Sequence, residues 1–279
     1  MLEKHVTSYD GITLNYAVTE IQPDKPWIAL IIPFGMKVSM AKPFFEFFCP
    51  QYNVVTWEAR SVLEESERLV AENEFAIENH VSDLHIVLES CPAKQFHVVG
   101  YCSGAGIALA AANRYPHLIG ELILAHGEYT MLEKQGCTTQ FAMEIDSLLT
   151  LAGRDEEHLG LVFDKIKNDR IDENSNRPQG IDMPFTNKAF LRRHSANYQA
   201  YKSVDFAHLA EYTDHQALLM TGELDVQANV LSTETIHALM PNSLLYVDPD
   251  ADHYGLLREN AKSMVIIWNY LYDQLNKQH

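Results

Sequence analysis

The chain has 279 residues, a formal net charge of −17 and an apolar fraction of 47%. That length accommodates one large domain with an insertion. The charge argues against nucleic acid and anionic membrane surfaces as partners, and no apolar run approaches the roughly 20 residues that span a bilayer. The start, Met1-Leu-Glu-Lys-His5, lacks the basic-then-apolar pattern of a secretory signal. The cysteines (Cys49, Cys91, Cys102, Cys137) show neither paired spacing nor a metal motif. A cytoplasmic protein with reduced thiols is expected.

In chain order, Asp10-Gly11 between two β-prone runs, His5 to Tyr9 and Ile12 to Thr19, predicts a hairpin. Trp27 to Ile32 is continuously apolar and reads as a buried central strand. It runs into Pro33-Phe34-Gly35-Met36. A helix is expected from about Ser39 to Phe48, with Pro43 in its first turn, where proline is accepted. Asn53 to Glu58 is the next strand, ending at Arg60-Ser61, which carries no mechanism by itself. Leu63 to Glu78 is glutamate-rich and reads as an exposed loop or short helix. From Asn79 to Ser90, Val81, Leu84, Val87 and Leu88 recur at helical spacing.

The next stretch organises the chain. Phe96 to Val99 is a short apolar strand, and a helix of small residues follows it. Between them lies Gly100-Tyr101-Cys102-Ser103-Gly104, the spacing of a nucleophile elbow, G-x-S-x-G, with cysteine in the serine position. Glycine is needed on both flanks, because side chains there collide as strand turns into helix. Ser103 as nucleophile would place Tyr101 and Ala105 at those positions, so the steric argument favours Cys102. The bland alternative is a buried core cysteine.

Leu122 to Ala125 reads as the sixth strand, with His126-Gly127-Glu128-Tyr129 at its carboxyl end. From Thr130 to Phe206 the strand–helix rhythm breaks. Helical patterns appear at Phe141 to Leu151, Glu156 to Ile166 and Lys188 to Ala200, with a mobile loop expected over 168–180. Ala217 to Met220 is a strand that Gly222 ends, which puts Asp225 beyond its carboxyl end, where open α/β sheets place their sites. A strand from Leu244 leads likewise to His253, and a final helix is expected from Leu256 to Leu275.

The elbow, followed in order by an acid and a histidine, resembles the α/β-hydrolase superfamily over nearly the whole sequence. The resemblance implies an α/β fold: a mostly parallel central sheet flanked by helices, built from 1–129 and 207–279, with 130–206 inserted as a helical cap. It implies Cys102 as nucleophile, His253 as base and Asp225 as the acid that orients the imidazole. Glu128 stays open as an alternative acid, since some superfamily members carry theirs after the sixth strand; His126 reads as a loop or supporting histidine. The resemblance further implies an oxyanion hole from the backbone N–H groups of Met36 and Ser103. Phe34 stands where the superfamily commonly has histidine, a departure that backbone donors tolerate.

A thioester exchanges readily with thiols and amines and less readily with water, so cysteine tilts the reading towards acyl transfer. Dienelactone hydrolases have a similar elbow but lack a large cap, and polyhydroxyalkanoate synthases are much longer. The chain resembles most the stand-alone aminoacyl and acyl transferases of nonribosomal peptide pathways. For these the resemblance implies carrier proteins as partners, whose phosphopantetheine arms bring the acyl group; no metal or resident cofactor is implied. Arg192, Arg193 and Lys202 are candidates for a basic docking patch, with an ordinary solvated face as the alternative. A thioesterase using the same triad, a carbon–carbon bond-forming or -cleaving relative, and a catalytically silent fold remain open.

Overall fold

Hydrogen bonding orders eight strands into one sheet in the sequence β1-β2-β4-β3-β5-β6-β7-β8. The computed structural model describes residues 1–66, 68, 70, 71, 73–131, 137–169, 177–259 and 261–277. The expected loop of 168–180 lies partly outside them, at 170–176.

Asp10-Gly11 turns the chain between β1 (Leu2–Thr7) and β2 (Thr13–Val18), which pair antiparallel with Thr7 opposite Thr13. Gly11 has φ +87, a conformation open to glycine at no steric cost. β2 is also antiparallel to β4 (Asn53–Trp57). The other strands are parallel: β3 (Trp27–Ile31), β5 (Phe96–Tyr101), β6 (Ile119–Ala125), β7 (Ala217–Gly222) and β8 (Ser243–Asp248). β3, β4 and β7 are buried at every residue, as parallel strands covered on both faces must be.

Apolar side chains cover both faces. Helices α2 (Ile77–Glu89) and α3 (Ser103–Arg114) bury Val81, Leu84, Ala105 and Ala108 on one side. On the other, α1 (Lys42–Phe48) and α9 (Lys262–Lys277) bury Phe44, Phe48, Met264 and Ile267. Two helical boundaries differ from the sequence reading. The first helix begins as a tight 3-10 turn, Val38–Ala41, and becomes α-helical only at Lys42. The last is broken: Gly255–Leu257 form a 3-10 turn, Arg258 is extended (φ −111, ψ 145), and α9 starts at Lys262. Leu256 and Leu257 had merged with the helical pattern because both are buried in the same core.

Arg60 does structural work that its sequence context did not show. Its guanidinium, 2% exposed, holds both oxygens of buried Asp83 on α2 at 2.7 and 2.6 Å and reaches Asp10 at 2.6 Å. This planar, bidentate pairing is what an arginine needs when taken out of water. It ties the hairpin tip, the end of β4 and α2 together.

Between β6 and β7 the chain forms α4 (Gln140–Ala152), α5 (Glu156–Asp169) and α6 (Lys188–Lys202). Thr139 and Asn187 cap α4 and α6, accepting the N–H groups of Ala142 and Phe190. The three helices pack around Leu149, Leu159, Val162, Leu191 and Tyr198, a core separate from those on the sheet. Helix α7 (Phe206–Glu211) then returns to the main body, where Phe206 and Ala210 join the sheet core. Helix α8 (Val230–Leu239) lies between β7 and β8. Arg193 fits neither the candidate basic patch nor the solvated face that was its alternative. It is 2% exposed and donates to the carbonyls of Glu64, Ser66 and Arg68, so it fastens α6 to the glutamate-rich loop instead of facing a partner. Arg192 and Lys202 are paired with Glu156 and Asp146. Among the described residues, no helix is long and apolar enough to cross a membrane.

Candidate active site

Cys102 sits between β5 and α3 with φ 54 and ψ −122. Such a backbone in a non-glycine residue costs on the order of 1–3 kcal/mol and persists only where its surroundings enforce it. Here the Cys102 N–H is held by the Ala125 carbonyl at 3.0 Å, and its own carbonyl accepts the Ala105 N–H at 2.9 Å. The flanking glycines are sterically required. A Cβ at Gly100 would lie 2.6 Å from the Ala105 Cα, and one at Gly104 would lie 2.8 Å from the Ile31 carbonyl carbon. Ser103 is the first helical residue, and its hydroxyl accepts the Phe34 N–H at 3.2 Å. The strained position therefore belongs to Cys102, while the Ser103 side chain is engaged with the loop after β3.

Asp225 and His253 follow β7 and β8, adjacent strands whose ends bring the two loops together. The Asp225 Oδ1 accepts the backbone N–H groups of Gln227 and Ala228 at 2.8 and 2.9 Å. Its Oδ2 accepts His253 Nδ1 at 2.8 Å and His126 Nδ1 at 2.9 Å. An ionised carboxylate only accepts, so both imidazoles present Nδ1–H to it. Burial penalises the charge on Asp225, yet the hydrogen bonds from His126 and His253 outweigh that penalty and hold its carboxyl well below the usual range. Burial also disfavours a charged His253, but the charge of the neighbouring Cys102 sulfur and the hydrogen bond and charge of Asp225 hold it well above the usual imidazole range. The Tyr101 hydroxyl fixes the loop by donating to the His253 carbonyl at 2.7 Å.

His126, read from the sequence as a loop or supporting histidine, lies against Asp225. It follows β6 directly, next to β7, with φ 50 and 1% exposure. His126, Asp225 and His253 offer ligand atoms within 4.8 Å of one another. Their inner atoms already satisfy one another, so a cation there would have to displace both imidazole–carboxylate hydrogen bonds.

Cys102, Ser103, His253, Met36 and Glu128 line one cavity of about 130 Å³. Phe141 and Ile145 of α4, Pro184 and Phe185 of the segment before α6, and Tyr198 of α6 are among its other walls. Met36 is buried, and its N–H donates to the Pro33 carbonyl at 3.3 Å. Glu128 pairs with α6: the Tyr198 hydroxyl donates to its Oε1 at 3.1 Å, and the Tyr201 hydroxyl to its backbone carbonyl at 2.6 Å. Burial raises its carboxyl above the usual range.

Residues 51–259 match the model of the alpha/beta hydrolase fold family. The chain is similar to the L-allo-isoleucyltransferase of Pseudomonas savastanoi pv. glycinea, 19% identical over 248 residues that cover 88% of this chain and 86% of that protein. Among solved structures it resembles the enol-lactonase from Burkholderia xenovorans LB400, at TM-score 0.71 and 17% identity over 98% of this chain and 100% of that one. It also resembles a thermophilic esterase from Thermogutta terrifontis, at TM-score 0.71 and 19% identity over 98% and 99%. Likenesses at that identity establish the fold.

Proposed function

Because the chain belongs to the alpha/beta-hydrolase family, we propose that it is a cysteine-dependent acyltransferase, moving an aminoacyl or other acyl group through a thioester on Cys102. The observation that carries this reading is a thiol at the strained elbow, lining the same cavity as a histidine that a buried carboxylate orients. The L-allo-isoleucyltransferase relative supports transfer as the outcome.

In this mechanism the Cys102 thiolate, paired with protonated His253, attacks the carbonyl carbon of an acyl thioester. The tetrahedral oxyanion is held by the Ser103 N–H at the start of α3 and by the Met36 N–H, which shares its hydrogen bond with Pro33. The bond to the donor sulfur breaks, and the departing thiolate takes the proton from His253. An acceptor thiol or amine then gives its proton to His253, attacks the Cys102 thioester and releases the enzyme thiolate. Asp225 keeps the imidazole in the tautomer that both steps use. The natural donor and acceptor in this reading are phosphopantetheine thiols on carrier proteins, and the protein works in the cytoplasm.

Intact-protein mass spectrometry after brief incubation with aminoacyl and acyl thioesters tests the proposal. The wild type is expected to gain the acyl mass and Cys102→Ala is not. The adduct should persist in water and discharge on adding a thiol or an amine. Rapid loss to free acid would replace transferase with thioesterase. Equal loading of Cys102→Ala would remove Cys102 as nucleophile.

A further inference from the structure

We propose that Glu128, positioned by Tyr198, binds the α-ammonium group of an aminoacyl chain on Cys102, so that the site selects aminoacyl over plain acyl donors. The inference rests on the acyl-enzyme reading above and adds the substrate class.

The first argument is placement. Glu128 is the one acidic side chain among the described residues lining the cavity that holds Cys102. In an aminoacyl thioester the ammonium nitrogen lies three covalent bonds from the enzyme sulfur, so the charge must fall inside that same small space. The second argument is orientation. Tyr201 fixes the backbone of Glu128 and Tyr198 fixes Oε1. One phenol occupies one acceptor position of a carboxylate that offers about four.

The third argument is the charge balance of the cavity. Arg177, the other charged lining residue besides His253, is paired with Asp182 at 2.9 Å. Lys202 lies within electrostatic reach of Glu128, but its ion pair is with Asp146 at 3.6 Å. His194 also lines the cavity; burial lowers it to about 4, so it stays neutral at pH 7. The rest of the wall is largely apolar, with Phe141, Ile145, Ile181 and Pro184. Such a wall suits an apolar side chain and gives the part-buried Glu128 carboxylate no direct ion pair among the described residues, since Lys202 and His253 act on it only from a distance and His253 is hydrogen-bonded to Asp225. Burial accordingly pushes the Glu128 carboxyl upward, and an ammonium group would supply what the cavity lacks. A donor without the amine would instead press methylene groups against the carboxylate, leaving it unpaired. Sites built around a buried polar group reject analogues that lack its partner.

The test compares matched pairs of N-acetylcysteamine thioesters: L-valyl with 3-methylbutanoyl, L-isoleucyl with 3-methylpentanoyl, and L-alanyl with propanoyl. The rate of Cys102 loading is read by intact-protein mass spectrometry. The wild type is expected to favour the aminoacyl member by roughly 10- to 100-fold, the worth of one charge-assisted hydrogen bond. Glu128→Gln should collapse that ratio towards one. Tyr198→Phe, which keeps the carboxylate and removes only the phenol, should reduce it by less. Thermal melting and the rate of Cys102 alkylation by iodoacetamide check that each variant is folded with its thiol intact. Equal loading of both members by the wild type, or an unchanged ratio in Glu128→Gln, overturns the assignment while leaving the acyl-enzyme in place. Failure of every donor to load Cys102 overturns the acyl-enzyme reading and this inference with it.

Discussion

Asp225→Asn is the substitution for which the structure gives the sharpest expectation. The carboxylate has four short contacts, two backbone N–H groups on Oδ1 and two imidazole Nδ1–H groups on Oδ2. An asparagine cannot satisfy all four. With its oxygen towards Gln227 and Ala228, its NH₂ faces both imidazoles, which must then turn into acceptors. His253 would carry its proton on Nε2, towards Cys102, and could no longer take one from the thiol. With the amide flipped, the NH₂ confronts two backbone donors instead. Loss of the charged partner alone removes about 2–3 kcal/mol from imidazolium stabilisation. That corresponds to about 10²-fold in kcat/KM, and inversion of the tautomer can bring the loss to about 10⁴-fold, as in serine-protease triads. The sign for pH follows. His253 is held above its usual range partly by Asp225, so without that charge the imidazolium is less favoured and the thiolate forms at higher pH. The rate of Cys102 alkylation by iodoacetamide, followed against pH, should shift its midpoint upward. If Asp225→Asn leaves that profile and turnover unchanged while Glu128→Gln moves both, the acid has been misassigned.

Further expectations follow from the same geometry. Gly104→Ala places a Cβ against the backbone of Ile31, which has no side chain to swing away; overpacking of about 1–3 kcal/mol or more should lower the melting temperature and abolish thioester loading, and normal loading would disprove the elbow geometry. Arg60→Met leaves Asp83 buried and unpaired, so urea unfolding should show a loss of about 3–5 kcal/mol; Arg60→Met combined with Asp83→Leu should recover much of it. His80 is 2% exposed, and burial lowers it to about 4, against which its hydrogen bond with Asn197 is too weak. The unfolded chain therefore binds a proton between pH 6.5 and 4 that the folded chain does not. Stability from this group is complete above pH 6.5 and is lost, by about 3 kcal/mol, as pH falls towards 4; His80→Gln should flatten urea-derived stability over that window, and an unaltered slope would assign the acid sensitivity elsewhere.

Most of the sheet was legible because its strands announce themselves locally, although β1 runs over Leu2–Thr7 and not over His5 to Tyr9. Trp27 to Ile31 is apolar without interruption because both its faces are covered, and Asp10-Gly11 marks a hairpin through glycine's positive φ. The elbow was legible for a steric reason: glycines on both flanks of Cys102 record how closely α3 approaches β5 and β3. What stayed illegible depends on long-range partners. Arg193 and Arg192 are neighbours on one helix with the same side chain, yet one is buried against three backbone carbonyls of a distant loop and the other pairs with Glu156 at the surface. Nothing in the local pattern separates them. His126 and Glu128 present the same difficulty at the site. They lie two residues apart after β6; the sequence left Glu128 open as an alternative acid and His126 as a loop or supporting histidine, without showing which of them meets Asp225. The positive φ of His126 lets its ring reach Asp225, while Glu128 is taken up by the α6 tyrosines Tyr198 and Tyr201. The division of labour between the two is thus set by the packing of an inserted helix more than fifty residues downstream, which only the folded chain brings into contact with them.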